Sequence, residues 1–109
     1  MTERAQTGRS KEAEELYRQA SAAGHTDATA NLGILLTQTG RSKEAEELYR
    51  QASAAGHTDA TANLGILLTK AGRNDEAEEL LRQASATGDT SAAYVLDRLL
   101  ARTSRTEEG

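Results

Sequence analysis

The chain has 109 residues, a formal charge of −4, and no cysteine, proline, phenylalanine or tryptophan. The acidic balance argues against a general nucleic-acid binder, which carries a basic face. The lack of cysteine excludes a disulfide framework and a thiolate metal site, and fits a reducing compartment such as the cytoplasm. No apolar run approaches the roughly 18 residues a membrane span needs, and the opening MTERAQTGRSK lacks the apolar core of a secretory signal.

Internal repetition organises everything else. The stretch Thr7 to Thr37 recurs unchanged as Thr39 to Thr69, and a looser third copy runs from Ala71 to Arg102. Gly8, Gly40 and Gly72 mark the period of 32 residues. Self-similarity at such a spacing is the mark of a stacked array of supersecondary units. Between glycines the chain is rich in Ala, Leu, Glu, Arg and Gln, and no stretch alternates with period two, so it reads as all-α.

In chain order, residues 1–8 form a polar lead, expected to be frayed or weakly helical. A helix is predicted near 10–23, with Ser10 as N-cap and Glu12, Glu14 and Glu15 at the end where the helix dipole favours carboxylates. Ala13, Leu16, Tyr17 and Ala20 fall at i, i+3, i+4, i+7 and make one apolar stripe. Glu14 with Arg18, Glu46 with Arg50 and Glu78 with Arg82 stand four apart in the favourable order, on a solvated outer face. Gly24 suits the left-handed residue that ends this helix. The next is predicted after a short turn, capped by Thr26, with Ala28, Leu32, Leu35 and Leu36 buried. Gly33 interrupts it at a cost of ~1 kcal/mol relative to Ala, which is understandable if a neighbour must approach closely. Further helices are predicted near 42–55, 59–70, 74–87 and 91–103, with a disordered tail over 103–109. Single helices of about 12 residues are marginal in water and depend on neighbours.

Leu32, Gly33, Leu36, Gly40, Ala45 and Tyr49, and again Leu64, Gly65, Leu68, Gly72 and Ala77, make the chain resemble the tetratricopeptide repeat. Thr29 and Thr61 stand where that family has Trp, the terminal Pro is absent, and the period is 32 rather than 34. The junction Ala52 to Ala60 looks instead like that of the Sel-one-like repeat. The resemblance covers residues 7–102 and implies a short α-solenoid of three αα-hairpins, six antiparallel helices in a right-handed superhelix. It also implies that helices of the first type, which carry the Leu-Gly pair, line the concave groove. Helices of the second type lie outside.

Carried over by position, the groove face is Asp27, Ala30, Asn31, Ile34, Thr37 and Gln38, then Asp59, Ala62, Asn63, Ile66, Thr69 and Lys70, then Ser91, Tyr94, Val95, Arg98, Ala101 and Arg102. Asn31 and Asn63 stand where peptide-binding relatives hold a peptide backbone through an amide. Ala30 and Ala62 stand where relatives that clamp a terminal carboxylate have Lys, which argues against such a clamp. Lys70, Arg98 and Arg102 offer charge to an acidic segment, although an Arg-rich helix end also serves solubility alone. His25 and His57 lie singly in equivalent turns, a poor metal site and a better turn or capping pair. No recurring nucleophile and base and no phosphate-binding loop point to an enzyme or a cofactor.

Two ends depart from the pattern. In the last helix Asp97 replaces the glycine and Arg98 replaces Ile66, as a terminal cap requires. The first helix has no partner of the first type ahead of it, which leaves Leu16 and Tyr17 partly open and available for self-association. A homodimer through this helix or by repeat swapping is the expectation. The leading function is a non-enzymatic protein–protein interaction scaffold binding a peptide or protein segment in its concave groove. The alternative is an engineered or recently amplified repeat array with a structural or self-assembly role and no physiological ligand.

Overall fold

The computed structural model describes the backbone of residues 2–108 and the side chains of residues 9–104. Among the described residues there are six helices and no strand: α1 (Thr2–Ala22), α2 (Thr26–Gln38), α3 (Ser42–Ala54), α4 (Thr58–Lys70), α5 (Asn74–Ala86) and α6 (Thr90–Glu108). The chain divides into two compact units, residues 1–57 with α1 to α3 and residues 58–109 with α4 to α6.

Helical backbone extends past the expected bounds at both ends. The helix predicted near 10–23 begins at Thr2, so Ser10 lies inside it. A cap is needed only where the first backbone N–H groups lack carbonyls one turn earlier, and here residues 6–9 supply them. The final helix runs to Glu108 through most of the tail expected to be disordered. The side chains of residues 1–8 and 105–109, on which the frayed lead and most of that tail were expected, lie outside the described residues.

Each helix from α1 to α5 ends in the same compact turn. At the end of α1, Gly24 N–H donates to Ser21 C=O (2.9 Å) and His25 N–H to Ala20 C=O (3.1 Å). This paired pattern requires a left-handed residue, and Gly24 takes it at φ 97°. Gly40, at φ 81°, does the same for α2, with Arg41 N–H donating to Leu36 C=O at 2.7 Å. The residue after each glycine then serves as the N-cap of the next helix: His25 for α2, Arg41 for α3 and Arg73 for α5, none with a side-chain cap bond. Thr26, expected as a cap, is therefore the first helical residue. Asp89 differs from these three: its Oδ1 accepts from Ala92 N–H at 2.9 Å before α6.

In the N-terminal unit α2 packs between α1 and α3. Being covered on two sides, it buries Ala28, Thr29, Ala30, Leu32, Gly33 and Leu36, an arc of about 200° at ~100° per residue. Leu35, expected in the buried stripe, sits beyond one edge and is half-buried. Thr29 is buried and hydrogen-bonded to Ser21 of α1. On the other side the Tyr49 ring of α3 lies directly against Gly33: a Cβ there would stand 2.6 Å from Cε1. Burial pushes the Tyr49 hydroxyl pKa up, partly offset by its hydrogen bond with Thr37 at 3.4 Å.

In the C-terminal unit the same contact recurs between Gly65 of α4 and Leu81 of α5, where an added Cβ would meet Leu81 Cγ at 2.8 Å. Leu64, Leu68, Ala77, Ala84, Ala92 and Leu99 are buried with it. The helix-interrupting glycines thus exchange ~1 kcal/mol of helix propensity for close approach of a large side chain.

Candidate binding groove

The repeat places outward-facing residues on the arc that packing leaves free. On α2 these are Asp27, Asn31, Ile34 and Gln38, all exposed, at about 240–300° on the same helical wheel. Ala30 and Ala62, expected beside them, are instead 2% and 3% exposed. For Ala30 the cause is the second packing face of α2, which a single apolar stripe does not reveal. Asp27 also accepts a hydrogen bond from His57 Nε2 at 2.9 Å, so this histidine ties the turn after α3 to the start of α2.

The C-terminal unit brings several expected residues together. A groove of about 570 Å³ is lined by Ile66, Thr69 and Lys70 of α4 and by Tyr94, Val95, Asp97, Arg98, Leu99, Ala101 and Arg102 of α6. It arises because α6 packs against both α5 and α4. Ile66, Lys70, Tyr94, Arg98 and Arg102 were all expected; Asp59 and Asn63, also expected, do not line it. The floor is apolar, with Leu99 fully buried and Val95 and Ile66 half-buried. Tyr94, 62% exposed, stands on the rim. Arg98 Nη1 donates to the Tyr94 hydroxyl at 3.1 Å, and its guanidinium carbon lies 5.7 Å from the ring centroid.

Two lining residues were not foreseen. Leu99 corresponds to Leu35 and Leu67, which are half-buried, but α6 turns its buried face so that Leu99 enters the floor. Asp97, expected as the replacement of the glycine, is exposed and adds the one carboxylate of the described lining.

The outer face of the N-terminal unit holds an ion-pair ring of which sequence spacing showed one edge. Arg18 bridges Glu14 (2.7 Å) and Glu44 (3.0 Å), and Arg41 bridges Glu14 and Glu44, both at 2.9 Å. Hydrogen bonds from Arg18 first, and from Arg41, hold both carboxyl pKa values below the usual range. The pairs Glu46–Arg50 and Glu78–Arg82 also form.

The same thirteen residues meet different surroundings in α1 and α3. Ala45, Tyr49 and Ala52 of α3 are buried, whereas Ala13, Tyr17 and Ala20 of α1 are half-buried and Leu16 is 57% exposed. Tyr49 has Gly33 of α2 to rest on.

Among the described residues no group of three or more His, Cys, Asp and Glu side chains is placed to hold a metal ion. No helix there is long and apolar enough to cross a membrane.

Short helices closed by glycine turns, with a large side chain of α3 and of α5 resting on a glycine of the helix before it, define a helical-repeat protein. Two family models, both described as tetratricopeptide repeat, match residues 4–60 and 38–92. The chain belongs to the tetratricopeptide repeat family. No curated protein matches it. Repeats of this family are generally protein–protein interaction modules and typically non-enzymatic scaffolds.

Proposed function

We propose that the chain is a non-enzymatic cytoplasmic scaffold that holds a peptide or protein segment in the groove between α4 and α6. The observation that carries this reading is the groove itself: an apolar floor of Ile66, Val95 and Leu99 beneath a polar rim. Its volume falls in the range of roughly 300–1,000 Å³ typical of ligand-binding clefts. The outward arc of α2, with Asp27, Asn31, Ile34 and Gln38, supplies further surface for partner contacts, and Asp59 and Asn63 do so on α4. The test is selection of binding peptides from a random library, followed by NMR titration. Shifts centred on Ile66, Thr69, Tyr94 and Val95, lost in Tyr94→Ala, are expected. Selected peptides that leave α4 and α6 undisturbed would refute it.

A second reading, self-association in a structural array, is favoured by one observation. Leu16 and Tyr17 of α1 stay open although the identical α3 buries Tyr49. Light scattering should then give a molar mass above the monomer's 11.6 kDa that falls to it in Leu16→Glu. A monomer at high concentration without the substitution removes this reading.

A further inference from the structure

We infer that the α4–α6 groove selects an acidic segment, with carboxylates set against Lys70, Arg98 and Arg102 and apolar side chains on the floor between them. This rests on the groove being the binding site and goes further by stating the chemistry of the partner.

Three observations carry it. The first is local charge. The chain as a whole is acidic, with 17 Asp and Glu against 13 Lys and Arg. Among the described residues the groove lining reverses that balance, with three cations, Lys70, Arg98 and Arg102, against one carboxylate, Asp97. Charge of one sign gathered in a concavity with apolar walls focuses its field on what enters.

The second is where the copies differ. The helices α2 and α4 are identical in sequence except at their last residue, Gln38 in one and Lys70 in the other. In α6, Arg98 stands at the position of Ile34 and Ile66, and Arg102 at the position of Gln38 and Lys70. Each of the three cations is thus a departure from the N-terminal copy's neutral residue, and all three departures fall in one groove. Solubility alone does not require them to share a concave surface.

The third is preorganisation. The Arg98 guanidinium lies over the Tyr94 ring and donates one N–H to its hydroxyl. Guanidinium carries five donors in a planar fork, so others remain for a carboxylate, and a side chain already held in place loses less entropy on binding. Arg98 and Arg102 are one turn apart on the same helix face, about 6 Å, close to the spacing of alternate residues in an extended peptide, about 6.8 Å. An extended segment alternating acidic and apolar residues meets both requirements, turning carboxylates to the rim and apolar groups to the floor. Asp97 disfavours a further acidic residue beside it and so limits the length of acidic run accepted.

The test uses the full chain and four fluorescein-labelled probes in anisotropy titrations at low salt. These are a short peptide of alternating glutamate and leucine, its glutamine–leucine and lysine–leucine counterparts, and an oligothymidylate of similar length. The glutamate peptide is expected to bind about tenfold more tightly than the glutamine peptide, with affinity falling as salt rises. Lys70→Glu combined with Arg98→Glu should abolish that preference while leaving the helical circular dichroism signal unchanged. Equal binding of the glutamate and glutamine peptides at Ile66 and Val95, or tighter binding of the lysine peptide, overturns acidic selectivity and leaves the groove reading standing. Oligothymidylate binding as tight as the glutamate peptide overturns selection of a peptide. If no peptide, including those selected from the random library, shifts α4 or α6 resonances, the groove reading falls and this inference with it.

Discussion

Replacing Gly33 by alanine separates two physical effects that act in opposite directions. Inside a helix the exchange favours folding by ~1 kcal/mol through propensity. Against it stands the Tyr49 ring: the new Cβ would lie 2.6 Å from Cε1, 2.8 Å from Cδ1 and 3.1 Å from Cζ. Carbon atoms pack at about 3.5–4.0 Å, so the ring or the helix must give by about 1 Å. Tyr49 is 3% exposed and its hydroxyl is engaged with Thr37, leaving little room to retreat. Overpacking of this kind costs about 1–3 kcal/mol, for a net loss of about 1 kcal/mol. That lowers a melting midpoint by about 4–8 °C in a domain of roughly 60–100 residues. Asn31→Ala is the control, since Asn31 lies on the same helix and is exposed; propensity alone should raise its stability by about 0.5 kcal/mol. Gly65→Ala should cost less than Gly33→Ala, because the atoms it meets belong to the more adjustable Leu81. Urea and thermal unfolding of the three variants decide the matter. A Gly33→Ala midpoint raised like that of Asn31→Ala would refute the steric account.

The repeated helix offers a second comparison. Tyr49→Ala removes a buried ring and should cost about 3–5 kcal/mol, whereas Tyr17→Ala, in the same sequence context but half-buried, should cost about 1 kcal/mol; equal losses by urea unfolding would contradict the difference in packing. A third prediction concerns acid. The Glu14 and Glu44 carboxyls are held below their usual pKa by Arg18 and Arg41. Their stabilisation is therefore complete above the unfolded carboxylate value, about 4.3, and is lost as pH falls through the lowered folded values. Urea midpoints should drop more steeply in the parent than in Glu14→Gln as pH falls from about 5 to about 3, and about 1 M salt should narrow the gap. Identical pH profiles would dismiss the ring as a contributor.

Much of this molecule was legible because local rules decide it. The five turns follow from glycines at a fixed phase, and the Glu14–Arg18, Glu46–Arg50 and Glu78–Arg82 pairs follow from four-residue spacing. The outward arc of Asp27, Asn31, Ile34 and Gln38 follows from helical geometry. What sequence spacing missed depends on contacts between distant segments. Ala30 is buried because α2 has neighbours on two sides. Arg41 closes the ion-pair ring because the chain reversal brings the start of α3 alongside α1. Leu99 enters the groove floor because α6 is rotated relative to its copies. Thr26 lost its expected capping role because the glycine turn gives that position to His25.

That turn also fixes how the chain can change in length. The residue following each glycine finishes one helix and starts the next, so a connection holds no spare residue. An insertion of one residue there has no loop to absorb it and would rotate the following helix by about 100°, turning its buried side toward water. Recombination between the identical stretches 7–37 and 39–69 adds or removes a whole copy and leaves every junction as it was. Its tolerated lengths are therefore discrete, one full repeat apart.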